Sequence, residues 1–254
     1  MKKTLFAAAA LAMTMVATTQ AQAYFEEYDL LRVTYDTTTN RQIITDLGDV
    51  RTLVTGTNVI VGAGENNTNP LALSDYGTTN WADIRMAYVA KGSLASKDVW
   101  LSHNLESGVT SGNRKFGSFQ SSYGGSLAFG DNPANHTSPN SDLATAVGLK
   151  TDPQGYYGMF DLGGGAVGSY NQFLGIYAQW GSSESSLGAL STVGYVDTYL
   201  HFFDFGDNPL PGANVAVIRT MADGSTVINP VPVPGSMLLL GSGLAGLLGL
   251  RRRN

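Results

Sequence analysis

Ala222-Asp223-Gly224-Ser225 separates two β-rich runs, Asn214 to Met221 and Thr226 to Ile228. An Asp-Gly pair supplies the positive φ that a tight hairpin needs, so this stretch predicts two antiparallel strands joined by a short turn. The same grammar recurs upstream. Leu31, Val33 and Tyr35 alternate with Arg32 and Thr34, a period of two that marks a half-buried strand. Thr37 to Asn40 reads as a turn and Arg41 to Asp46 as the returning strand. Strands are expected at Asp83 to Lys91, with Ile84, Met86 and Tyr88 on one face, and at Asp98 to His103, with Lys91 to Lys97 connecting them. Gly194 to Phe205 carries large residues on both faces and predicts a long central strand. Ser107 to Gly194 is rich in Gly, Ser and Asn, with one helix expected at Ser141 to Leu149, capped by Asn140 or Ser141. Short strands, frequent turns and no βαβ rhythm predict a mainly β body, an antiparallel sandwich or jelly roll with a minor helix.

Composition narrows the chemistry. The chain has no cysteine, which excludes a thiol nucleophile, a thiolate zinc site and disulfide staples. Five of the 15 basic residues lie in the two ends and all 20 acidic ones between them, which leaves the body near −10. Such a body does not seek nucleic acid or anionic lipid.

Catalytic motifs are absent or incomplete. Gly163 to Gly168 forms a formal GxGxxG, but no amphipathic helix follows and no βαβ unit surrounds it, so it reads as a loop. There is no GxSxG elbow. His103, His136 and His201 are far apart in sequence, which suits local hydrogen bonding better than a zinc site. The pentapeptide Phe-Gly-Asp-Asn-Pro occurs at 129–133 and at 205–209, either as a degenerate duplication or as two strands ending in the same kind of turn. Asp131, Asn132, Asp207 and Asn208 place hard oxygen ligands in those turns and make calcium the one cofactor to consider. Tyr156, Tyr157 and Trp180 could stack on sugar rings or pack in the core.

Both ends look like targeting segments. Lys2 and Lys3 precede an uncharged run from Thr4 to Thr19, then Ala21-Gln22-Ala23, which predicts a signal peptide over 1–23 cut by signal peptidase after Ala23. Residues 24–230 form the exported body. In 231–254, Met237 to Leu250 has no charge, and Arg251, Arg252 and Arg253 follow at once. A helix begun at Pro234 would reach roughly 25 Å at about 1.5 Å per residue, just under the roughly 30 Å of a bilayer core. The arginines would stay cytoplasmic as a stop-transfer plug. A core helix, a permanent tail anchor and a processed sorting signal are the three readings. Marginal length over 235–250 suits a transient stay in the membrane.

Val231-Pro232-Val233-Pro234, the short hydrophobic run and the arginine cluster resemble the PEP-CTERM sorting domain of Gram-negative bacteria. The resemblance implies recognition by exosortase, a membrane-embedded transpeptidase, and delivery to the cell surface or to a biofilm exopolysaccharide matrix. The family's Glu position is held here by Val233. The expected function is a noncatalytic surface or matrix protein. The alternative is a carbohydrate-binding module or polysaccharide-active enzyme with the same address.

Overall fold

The computed structural model describes residues 25–61, 71–103, 116–136, 145–160, 183–204 and 213–230. Ten strands run through them: β1 (Asp29–Asp36), β2 (Gln42–Asp49), β3 (Val59–Val61), β4 (Ile84–Lys91), β5 (Val99–His103), β6 (Thr145–Gly148), β7 (Ser185–Ser186), β8 (Tyr195–Phe203), β9 (Ala213–Met221) and β10 (Thr226–Ile228). Four helices accompany them: α1 (Val50–Leu53), α2 (Leu73–Tyr76), α3 (Phe116–Asp131) and α4 (Tyr156–Phe160).

Turn chemistry fixes the ladders where the sequence says it should. Asp36 Oδ1 accepts the N–H groups of Thr38 and Thr39 at 2.5 and 2.6 Å, closing the β1–β2 turn. Gly224, at φ +85, turns β9 into β10, and Asp223 accepts from the N–H and hydroxyl of Ser225. β8 is central between β5 and β9, and a bulge at Leu200/His201 resets its register.

All pairings are antiparallel, in the order β3-β10-β9-β8-β5-β4-β1-β2-β6. β7 takes up the edge of β4 beyond the stretch paired with β5. Among the described residues the strands form one sheet, and the sandwich or jelly roll expected from the alternation is not found in them. Period-two patterning tells which side chains share a face, but not whether that face meets a second sheet or its own far end. Here it meets its own far end. Arg32 on β1 donates to the Gly224 carbonyl at 2.7 Å and to Thr226 Oγ1 at 3.2 Å. Five strand spacings of about 4.8 Å would hold β1 and β10 roughly 24 Å apart in a flat sheet, so the sheet is curled into a half barrel.

Each face has its own core. Inside the curl, Leu30, Met86, Tyr88, Trp100, Leu200 and Ile218 pack together with Val50 and Leu53 of α1, Tyr76 of α2 and Leu187 of a short 3-10 turn. Outside it, Leu31, Val33, Tyr35, Val89 and Leu101 lie under Tyr123 and Phe129 of α3 and Tyr156 of α4.

The stretch before β7 departs most from expectation. The helix expected at Ser141 to Leu149 is, over 145–148, the edge strand β6, its Ala146 opposite Ile44. Residues 141–144 lie outside the described residues. The 16-residue helix falls earlier, in Gly- and Ser-rich sequence. The first Phe-Gly-Asp-Asn-Pro ends this helix and not a strand: Phe129 is fully buried, and a Cβ at Gly130 would fall 2.0 Å from the Phe25 ring.

Candidate functional site

Alternation along β1 sends Tyr35 to the outer face, beside the first turn of α4. The Tyr35 hydroxyl donates to Glu184 Oε2 at 2.8 Å, and the Tyr156 hydroxyl donates to Oε1 at 3.1 Å. Glu184 immediately precedes β7 and is 9% exposed. Burial pushes its carboxyl up to about 7, against the two tyrosine hydroxyls and the Arg85 charge, which favour the ionised form. Burial and the Glu184 charge together push the Tyr35 phenol far above its ordinary value, so it remains a donor.

Tyr157 stacks edge-on against Tyr35 at 5.2 Å, and Lys150 Nζ sits 5.2 Å from the Tyr157 ring centre while donating to the Asp36 carbonyl at 2.6 Å. Gln42 completes the wall, accepting from the Tyr157 N–H at 3.1 Å and donating to the Leu149 carbonyl at 2.6 Å. The result is a buried carboxyl that exchanges a proton near neutrality, with both oxygens held by phenols.

On the same face His103 and His201, 2% and 1% exposed, meet edge to face at 6.1 Å. The register accounts for it, since His201 lies opposite Leu101 and His103 opposite Tyr199 on β5 and β8. Sequence distance concealed this meeting. His136 stands apart, its Nε2 2.6 Å from the Gly130 carbonyl at the end of α3.

A second raised carboxyl belongs to β2. Burial, then the charges of Asp29 and Glu26, lifts Asp46 to about 7, opposed by a hydrogen bond from the Gly48 N–H. Asp46 and Glu184 answer to different neighbours. Among the described residues no group of three or more His, Asp or Glu could hold a metal ion.

A third arrangement marks where the chain leaves the sheet. Asn229 follows β10 at φ +50. Its N–H donates to the Val217 carbonyl at 2.7 Å, and its Oδ1 accepts the Val217 N–H at 3.1 Å. Its Nδ2 donates to the carbonyls of Val54 and Gly56 at 3.0 and 2.9 Å, and its own carbonyl accepts the Asn58 N–H at 2.9 Å.

The predicted site residues are distributed unevenly. Asn132 Oδ1 is used to accept the Ala134 N–H at 3.1 Å, opening a 3-10 turn, and Asp131 ends α3. Their proposed calcium partners Asp207 and Asn208 lie outside the described residues, as do Trp180 and the GxGxxG loop. Tyr156, one of the proposed sugar-stacking aromatics, is fully buried, and Tyr157 is half-buried. Ala21, Ala23, Val231, Pro232, Val233, Pro234, Arg251, Arg252, Arg253 and the hydrophobic run 235–250 are likewise outside the described residues. Among the described residues no helix is long and apolar enough to cross a membrane. The residue that sequence reasoning missed is Glu184, for which the one available signal is a lone carboxylate among small residues in Ser182-Ser183-Glu184-Ser185.

No curated protein and no solved structure matches the chain at a significant level. Residues 230–253, beginning directly after Asn229, match the family model of the PEP-CTERM protein-sorting motif, which implies an exosortase-type sorting enzyme as partner and export through the membrane to the cell surface.

Proposed function

We propose that this chain is a noncatalytic surface or exopolysaccharide-matrix protein: a rigid β body over 24–230, freed from its signal peptide after Ala23 and sorted through residues 231–254. The observation that carries this reading is the junction. The last core residue, Ile228, is fully buried, and the sorting motif starts two residues later, so the chain passes from packed body to recognition signal with almost no linker. Arg251 to Arg253 halt translocation, the run 235–250 rests in the bilayer, and the enzyme cuts near Val231 to Pro234. The body's near −10 charge keeps it soluble among anionic polymers. Mass spectrometry of surface-released protein should give Tyr24 as first residue and no peptide beyond about Pro234. Intact Arg253 in that fraction would overturn the reading.

A polysaccharide-active module is the second reading, and the buried carboxyl of Glu184 near 7 is what favours it. Glycoside hydrolysis uses two carboxyls about 5 to 9.5 Å apart in one cleft. Glu184 has phenols on both oxygens, and Tyr35, Tyr156 and Arg85 are what hold its carboxyl down among the described residues. The cluster therefore supports a structural pin better than an acid–base pair. Turnover of any polysaccharide by the purified chain, lost in Glu184→Gln, would reverse that preference.

A further inference from the structure

Asn229 joins three pieces of backbone: the carbonyls at the end of α1, the start of β3 through Asn58, and Val217 on β9. Every polar group of its backbone and side chain is engaged, so the point at which the chain leaves the body is fixed in position and direction. From Asn229 to Pro234 are five residues, which can span at most about 17 Å even when fully extended. The membrane-resident run begins immediately after. A body held on so short a tether must bring one particular face against whatever acts on the motif.

That face is the corner around Asn229. Thr52, Thr55, Thr57 and Asn58 are exposed there, and Ile60 on the edge strand β3, opposite Val227, is 55% exposed. Among the described residues β3 ends the strand order on one edge and β6 on the other, and Leu149, also exposed, follows β6.

We propose that Asn229 is a positioning residue for the sorting reaction and that the α1–β3 corner, with Ile60 at its centre, is the surface the body presents to the sorting enzyme. This rests on the sorting reading above. The enzyme approaches the motif between the bilayer and this corner. The pinned exit keeps the motif clear of the body so that it can enter the enzyme's site.

The test uses the full chain in cells that contain the sorting enzyme, with pulse-labelling to follow conversion of tail-bearing to clipped protein. Asn229→Gly keeps the positive φ and removes the side-chain bonds. Its clipping should be several-fold slower, and a short Gly-Ser insert between Pro230 and Val231 should restore the rate, because a longer tether makes the pinned exit unnecessary. A photo-crosslinking residue at position 60 should capture the sorting enzyme on the unclipped chain, and one at position 149 should not. Clipping of Asn229→Gly at the native rate, or equal capture from both positions, overturns the inference while leaving sorting intact. If Asn229→Gly fails to fold, the two crosslinking positions, which leave the hub untouched, decide alone. A native chain that is never clipped, with Pro232→Ala/Pro234→Ala behaving identically, sinks the sorting reading and this inference with it.

Discussion

Both faces of the curled sheet bury ionisable side chains, and Arg32 on the inner face and Glu184 on the outer one are held in opposite ways. Inside, the Arg32 guanidinium reaches across the curl, its Nη1 donating to the Gly224 carbonyl and to Thr226 Oγ1. The shell around it is hydroxyl-rich: Tyr76 bonds Thr34 at 2.5 Å, and Tyr88 bonds Thr220. Outside, Glu184 can discharge by taking up a proton, and it is surrounded by phenols that serve either state. A guanidinium bonded across the curl makes a strut; a titratable carboxyl makes a pin whose strength depends on pH.

Arg32→Ala is the largest blow to this contrast. It opens a void and leaves the Gly224 carbonyl without its partner, at an expected cost of about 4 kcal/mol in urea unfolding. A loss of well under about 1 kcal/mol would show that this bridge does not hold the curl closed.

Acidity should act on the outer face. In the unfolded chain Glu184 titrates near 4.5 and in the folded protein near 7, so the folded state holds more protons between those values. Stability is therefore greatest below the unfolded value and falls as pH rises through about 7, by at most about 3 kcal/mol from this residue. Asp46, raised from 3.8 to about 7, adds in the same sense. Melting temperature followed from pH 5 to pH 8 should decline, and Glu184→Gln should flatten part of that slope while Arg32→Ala leaves it intact. A slope unchanged by Glu184→Gln would remove the pin from the explanation.

The smallest expected effect belongs to Tyr156→Phe, which deletes one of two donors to Glu184 and should cost about 1 kcal/mol. The cost should grow as pH rises, because the hydroxyl favours the carboxylate. A larger loss at pH 5 than at pH 8 would contradict the assignment.

Much of the sheet was legible because its strands state their own period and end in residues with one conformational use. Tyr35, Met86 and Leu101 sit on the faces their alternation assigns, and Asp223-Gly224 turns where it must. α3 was not legible, since Gly124, Gly125 and Gly130 and its serines are weak helix formers, and the helix is held by Tyr123 and Phe129 packing on the sheet. β6 misled because four residues are too few to separate one period from the other, and its pairing with β2 decides. Glu184 was invisible for a different reason. Its partner Tyr35 lies 149 residues away, and nothing local hints at the encounter. The curl itself has the same origin, because alternation is silent about which edge of a sheet bends toward which.

The Arg32–Gly224 contact joins positions 192 residues apart. A polypeptide threaded across a membrane from its amino end exposes Arg32 early, yet the hairpin that receives its guanidinium emerges only after nearly all the body has passed. Until then the trough has one wall missing and its oily lining is open to water. Closure of the trough is therefore among the last events of folding, because it waits on the most distant contact the body makes.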